Sequence, residues 1–151
     1  MAGLKIFLHT INKVSDSSAE SLLIANYLKR IPWSITIQQL ELKGKFPSDK
    51  QKSLEGDLLL KNVPAGNFII ALDENGGQYS SQDFSKYIHK IDRPISFIIG
   101  GAYGLSEEIK VKANLLLSLG KMTMPHILAR LMLVEQLYRI YTIKENHPYH
   151  K

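Results

Sequence analysis

The chain contains no cysteine, and that absence removes several kinds of chemistry. Disulfides, cysteine-held zinc, thiolate-bound iron–sulfur clusters and a cysteine nucleophile are all excluded. No stretch approaches the ~18 consecutive apolar residues that a membrane-spanning helix requires. The opening "MAGLKIFLHT" has one lysine and too short an apolar run for a signal peptide. The expectation is a soluble, cytoplasmic protein with no membrane partner. Internal repeats and low-complexity tracts are also missing. The turn "HTINKVSDSS", between the first strand and the first helix, has no glycine, although a dinucleotide-binding fold needs one there.

What is present describes an ordinary folded domain. Hydrophobic residues make up 44% against 22% charged, the balance of a globule rather than a disordered segment. A chain of 151 residues suits one domain spanning 1–151, able to bury ~70% of the surface its unfolded form exposes. The net charge of +5 suits an anionic partner such as nucleic acid without establishing one.

Strands and helices alternate along the chain. "LKIFLH" (4–9) reads as a strand and "AESLLIANYLKR" (19–30) as a helix that stops before Pro32. "SITIQQLEL" (34–42) is β-rich. "KGKFPSDKQKS" (43–53), rich in lysine and broken by Gly44 and Pro47, reads as a mobile loop, and 54–63 as a short helix. Strand 67–72 leads through the loop "DENGGQYSS" to helix 81–91, with Ser80 or Ser81 as its cap. Strand 95–100 leads through "GAYGL" to a helix capped by Ser106, whose Glu107 and Glu108 favour its positive end. Strand 114–119 and the loop "GKMTM" precede the longest helix, from Pro125 to about Tyr141. This rhythm predicts an α/β fold with a mainly parallel sheet and helices on both faces.

In such folds ligands settle outside the carboxyl ends of the strands. Three successive strand ends there carry "LDENGG", "IIGGAYGLS" and "LGKMTM". Gly100, Gly101 and Gly104 allow close backbone approach, but the spacing G-G-x-x-G differs from the dinucleotide fingerprint. Taken alone, Leu119 and Met122 read as core residues before they read as walls of a ligand site. Glu135 and Arg139, four apart on the long helix, can pair on one face, either as a solvated salt bridge or near an interface. The end "KENHPYHK" reads as a fraying polar terminus or as an arm that meets a substrate. His147 and His150 are three apart, but without cysteine and with Glu145 alone nearby they lack the convergent ligands of a metal site, so no metal is expected.

Together "IIGGAYGLSEEI", "LSLGKMTMPHILARLMLVEQLYRIY" and "NHPYHK" closely resemble the ribosomal large-subunit pseudouridine N3-methyltransferases, the RlmH family of the SPOUT superfamily. The resemblance is specific over 67–151 and collinear upstream. It implies a deep C-terminal trefoil knot within about 67–151, a homodimer, and S-adenosyl-L-methionine as cofactor. The cofactor would contact Leu72, Gly100, Leu119, Gly120, Lys121, Met122, Thr123 and Met124. The implied substrate is a pseudouridine of 23S rRNA, in the hairpin at the subunit interface of the assembled ribosome. In the tail it implies catalytic roles for His150, as base, and Tyr149, with Lys151 on phosphate; Arg130 and Arg139 would contact RNA. Another RNA target, or a ribosome-binding homologue that has lost catalysis, are the rival functions. The chain departs from the family at Gly120, where serine is common, and at "LHTINK", where a V-G-K turn is common.

Overall fold

A computed structural model describes residues 3–151. Its elements are β1 (Lys5–Ile11), α1 (Ala19–Lys29), β2 (Ser34–Leu40), α2 (Ser48–Lys61) and β3 (Phe68–Gln78). They continue with α3 (Ser81–His89), β4 (Ile95–Ile99), α4 (Glu107–Lys112), β5 (Leu115–Ser118) and α5 (His126–Lys144). The strands form a five-stranded sheet in the order β2-β1-β4-β3-β5, with every pairing parallel. This is the expected α/β architecture.

Side-chain alternation along the strands divides the core in two. Ile6 and Leu8 of β1, Ile70 of β3, and Ile95, Phe97 and Ile99 of β4 face α1, α3 and α5. Ile11, Ala71 and Ile98 face the other way, onto Leu59 of α2 and Ile109 of α4. Strands buried on both faces explain the nearly continuous apolar runs in the sequence. Serine hydroxyls start three of the helices: Ser18, Ser80 and Ser106 accept from the amides of Ser21, Asp83 and Ile109.

Two elements run longer than expected. The lysine-rich stretch is not a loop throughout, because α2 begins at Ser48. Pro47 sits in extended backbone at its N-cap position, and its carbonyl accepts from Gln51 N at 2.8 Å. The first turns of α2 show solvent mainly polar residues, so no apolar stripe betrays them. Strand β3 also continues through "DENGG". A bulge between Leu72 and Gly77 interrupts its pairing with β5, which resumes at Gly77↔Leu117. Gly76 passes so close to β5 that a Cβ there would lie 2.5 Å from the Leu116 carbonyl oxygen.

One polar group sits in the middle of the sheet. His9 is 1% exposed; its Nδ1 lies 2.8 Å from Gln38 Oε1 and its Nε2 2.9 Å from Ser96 Oγ. Gln38 Oε1 can only accept, so Nδ1 carries the proton and Nε2 accepts from the Ser96 hydroxyl. Ser96 Oγ in turn accepts from Asn67 Nδ2 at 3.0 Å. The neutral ring is fully satisfied, and burial, against the opposing Gln38 hydrogen bond, pushes its pKa below the usual imidazole value of 6.5. The folded state therefore prefers the neutral ring. This stability is complete above about pH 6.5 and is lost as pH falls below it toward the folded value. Urea midpoints should drop between pH 7.5 and 5.5, and His9→Gln should flatten that slope. An equal slope in the variant would contradict the assignment.

Candidate active site at the strand carboxyl ends

The carboxyl ends of β3, β4 and β5 open into a cleft of about 720 Å³, within the range of small-molecule sites. Leu72 and Asp73 form one wall, the turn from Gly100 to Leu105 a second, and Leu119 to His126 a third. Of the residues implied to hold the cofactor, all but Lys121 line this cleft. Lys121 belongs to the same loop and is exposed. Met122 is 84% exposed, so ordinary core packing is excluded for it, whereas Leu119 is half-buried.

The local backbone explains why these loops hold their shape. Gly101 and Gly104 form an antiparallel bridge, and Gly104 N donates to Gly101 O at 3.0 Å. Gly104 has φ +84°, a conformation glycine adopts without strain. At Gly100 a Cβ would meet Gly104 O at 2.9 Å and its carbonyl carbon at 3.0 Å. Glycine is therefore needed at 100 because the turn folds back over it. Gly120, the departure from the family serine, has φ +138°. Its amide donates to Ser118 Oγ at 3.1 Å, and Ser118 Oγ also lies 3.0 Å from Glu74 O, tying the third loop to the first.

Charged side chains surround the cleft. Lys52 of α2, Asp73, Glu74 and Lys110 of α4 all line it. Lys110 Nζ lies 4.0 Å from Asp73 and 3.6 Å from Glu107. Thr123 Oγ1 donates to Glu74 Oε2 at 3.3 Å. Lys52 was hidden from sequence reasoning because its stretch reads as a loop.

The two arginines expected on RNA differ in placement. Arg130 is 3% exposed, and its guanidinium donates to Gln39 Oε1 and Thr10 Oγ1, both at 3.0 Å. Burial lowers its pKa. In this chain it ties α5 to the ends of β1 and β2, and a phosphate contact is not what its position offers. Arg139 is half-buried and pairs with Glu135, Nη2 to Oε1, at 2.6 Å.

The tail is ordered against α5. Asn146, at φ +55°, turns the chain, and His147 N donates to Thr142 O at 2.9 Å, closing the helix. Tyr149 packs edge-on against Tyr138 with ring centroids 4.7 Å apart, lies beneath Arg139, and donates its hydroxyl to Glu135 Oε1 at 3.0 Å. Proximity to the Tyr27 hydroxyl, then burial, then Glu135 raise its pKa, so the phenol stays protonated. Arg139 Nη1 donates to His150 Nδ1 at 3.1 Å. Arginine has no acceptor, so His150 is held with its proton on Nε2 and no free lone pair. His147 and His150 are thus differently engaged, and Lys151 is exposed.

Cleft and tail do not meet within one chain. His126 and Ala129, in the first turn of α5, line the cleft. The tail rests on Glu135 and Arg139, six and ten residues beyond Ala129, roughly 9–15 Å down the helix axis.

Comparison with known proteins shows the family of this chain. Residues 4–150 match the family model described as "Predicted SPOUT methyltransferase". A ribosomal RNA large subunit methyltransferase H from Rhodospirillum centenum is 38% identical over 98% of this chain and 99% of its own length. The protein of the same name from Christiangramia forsetii is 46% identical over 76% of this chain and 75% of its own. A solved structure of a probable methylase family protein from Haemophilus influenzae covers 95% of this chain and 67% of its own, with a TM-score of 0.56. At 13% identity it speaks for the fold alone. Matched almost end to end, the chain belongs to the SPOUT methyltransferases and, among them, to the large-subunit rRNA methyltransferase H family.

Proposed function

We propose that this chain is an S-adenosylmethionine-dependent methyltransferase that modifies N3 of a pseudouridine in 23S rRNA, in the cytoplasm, on the assembled ribosome. The chain works as one domain with the family's C-terminal knot, and as a homodimer. The observation that carries this reading is the separation of a formed cleft from an ordered tail in the same chain. A second copy brings its tail to the first copy's cleft, so two subunits shape each site. Helix α5 is suited to that contact, since Leu128 and Met132, one turn apart, are 40% and 44% exposed.

The cleft fits the cofactor by its donor set. Leu72, Leu119 and Met124 offer apolar walls for an adenine, the glycine turn offers backbone at close range, and a buried Glu55 oxygen without a donor lies directly behind that turn. Bound there, S-adenosylmethionine supplies an electrophilic methyl group. The protein's contribution is alignment, because in-line displacement depends on the geometry of nucleophile, methyl and leaving sulfur. Tyr149, clamped by Glu135 and Arg139, sets the height of the tail. His150 presents its Nε2 proton to an imide oxygen, which favours loss of the N3 proton; acting as base requires Arg139 to release Nδ1. Lys151 takes a phosphate.

Titration calorimetry with S-adenosylmethionine and sedimentation at micromolar concentration test this reading. Saturable binding to a dimer is expected. A monomer, or a dimer that does not bind the donor, would contradict it.

A further inference from the structure

Glu55 lies on α2, behind the cleft rather than in its lining, and is 6% exposed. Its Oε2 accepts from Gln51 Nε2 at 3.0 Å, one turn earlier on the helix. Its Oε1 has no hydrogen-bond donor at all. A buried carboxylate oxygen without a donor is costly and calls for a compensating partner.

The surroundings show where such a partner would sit. A Cβ on Gly101 would lie 2.8 Å from Glu55 Oε1 and 3.1 Å from Oε2. The carboxylate therefore occupies the space a side chain would take, pressed against the backbone of the turn whose other side lines the cleft. The neighbouring Gly56 packs just as closely on Ser106, so α2 braces the whole turn. Two cations, Lys52 and Lys110, line the cleft. Lys110 is engaged by Asp73 and Glu107, and no ion pair joins Lys52 to Glu55 among the described residues. The free oxygen lies against Gly101, a residue of the cleft wall that puts no side chain between them.

Resting on the donor assignment above, we propose that Glu55 is a positioning residue whose carboxylate, acting through the side-chain-free turn at Gly101, favours the positively charged methyl donor over its uncharged product. S-adenosylmethionine and S-adenosylhomocysteine have nearly the same shape and differ by one positive charge at sulfur. Shape-based contacts hold both alike, whereas a buried negative charge holds only the sulfonium more tightly. Methyl transfer removes that charge, so the same carboxylate helps the spent donor to leave. Across roughly 10 Å at an effective dielectric near 20, one unit charge changes relative affinity on the order of tenfold.

The test is calorimetry of wild type and Glu55→Gln with each ligand, together with the analogue in which an ammonium replaces the sulfonium. Glu55→Gln keeps the shape and removes the charge. It should weaken S-adenosylmethionine and the ammonium analogue about tenfold, and S-adenosylhomocysteine by less than about twofold. Gly101→Ala, whose methyl displaces the flexible carboxylate end, carries the same expectation and serves if Glu55→Gln does not fold. Equal weakening of all three ligands would reduce Glu55 to a structural brace and overturn the inference, as would no change. Binding of neither natural ligand by wild type would overturn the donor assignment and this inference with it.

Discussion

Truncation after His147 should abolish methyl transfer to ribosomes while leaving donor affinity within about twofold of wild type. The cut spares the helix end, because the His147 amide that caps Thr142 O remains. It removes Tyr149, with its packing on Tyr138 and its bond to Glu135. These contacts are worth roughly 1–2 kcal/mol, too little to unfold a domain of this size. It also removes His150 and Lys151, which belong to the proposed site of the other subunit. The cleft is built from the ends of β3, β4 and β5 with residues of α2, α4 and the start of α5, whereas the polar contacts of the tail fall further along α5, on Glu135 and Arg139. Loss of activity with donor binding intact separates positioning of the nucleotide from holding of the methyl donor. Full activity in the truncated protein would make the tail merely a packed end.

The converse lesion is Gly100→Val. The Cβ alone would press on Gly104 O at 2.9 Å and Gly104 C at 3.0 Å, and a branched side chain adds further atoms to a turn that has no room. The turn must open, and with it one wall of the cleft. Donor binding should weaken at least about 100-fold, which corresponds to roughly 3 kcal/mol. The fold should persist, since Gly100 follows the last residue of β4 and lies outside both core clusters. Wild-type affinity in a folded variant would remove this turn from the donor site. The two lesions also test the dimer together. Each protein alone is expected to be inactive. In a mixed dimer, the truncated chain offers an intact cleft and the Gly100→Val chain an intact tail. Random reassociation should restore about a quarter of the wild-type sites, as about half the dimers are mixed and each holds one complete site. No recovery would mean that each tail serves its own chain's cleft.

The alternation of strands and helices was legible because strands buried on both faces are unbroken apolar runs, and because serines mark the helix starts. The parts that stayed hidden share a cause. The first turns of α2 and the second half of β3 are polar, one facing solvent and the other paired past a bulge, so neither has a hydrophobic period. Lys52 was lost with them, and Glu55, inside the helix read over 54–63, carried no sign of its burial. Of the candidate site, the glycine turn and the loop at 119–124 were legible as strand ends that converge, but the reason for Gly100 was not. Only the folded turn shows that Gly104 lies above it. The burial of Arg130 was not legible in its apolar surroundings on α5. In the fold, Thr10 and Gln39, paired across β1 and β2, accept from its two terminal nitrogens in the interior, while Nε has no acceptor. The commitment of His150 Nδ1 to Arg139 likewise depends on a backward turn at Asn146 that no local pattern marks.

The most direct measurement of the central claim is mass mapping of 23S rRNA. Ribosomes from a strain lacking this gene would be incubated with the purified chain and S-adenosylmethionine. The account predicts one added methyl group on one pseudouridine at the subunit interface, resistant to exchange at N3, appearing on assembled ribosomes. No added methyl group anywhere in the rRNA, with donor binding intact, would contradict it.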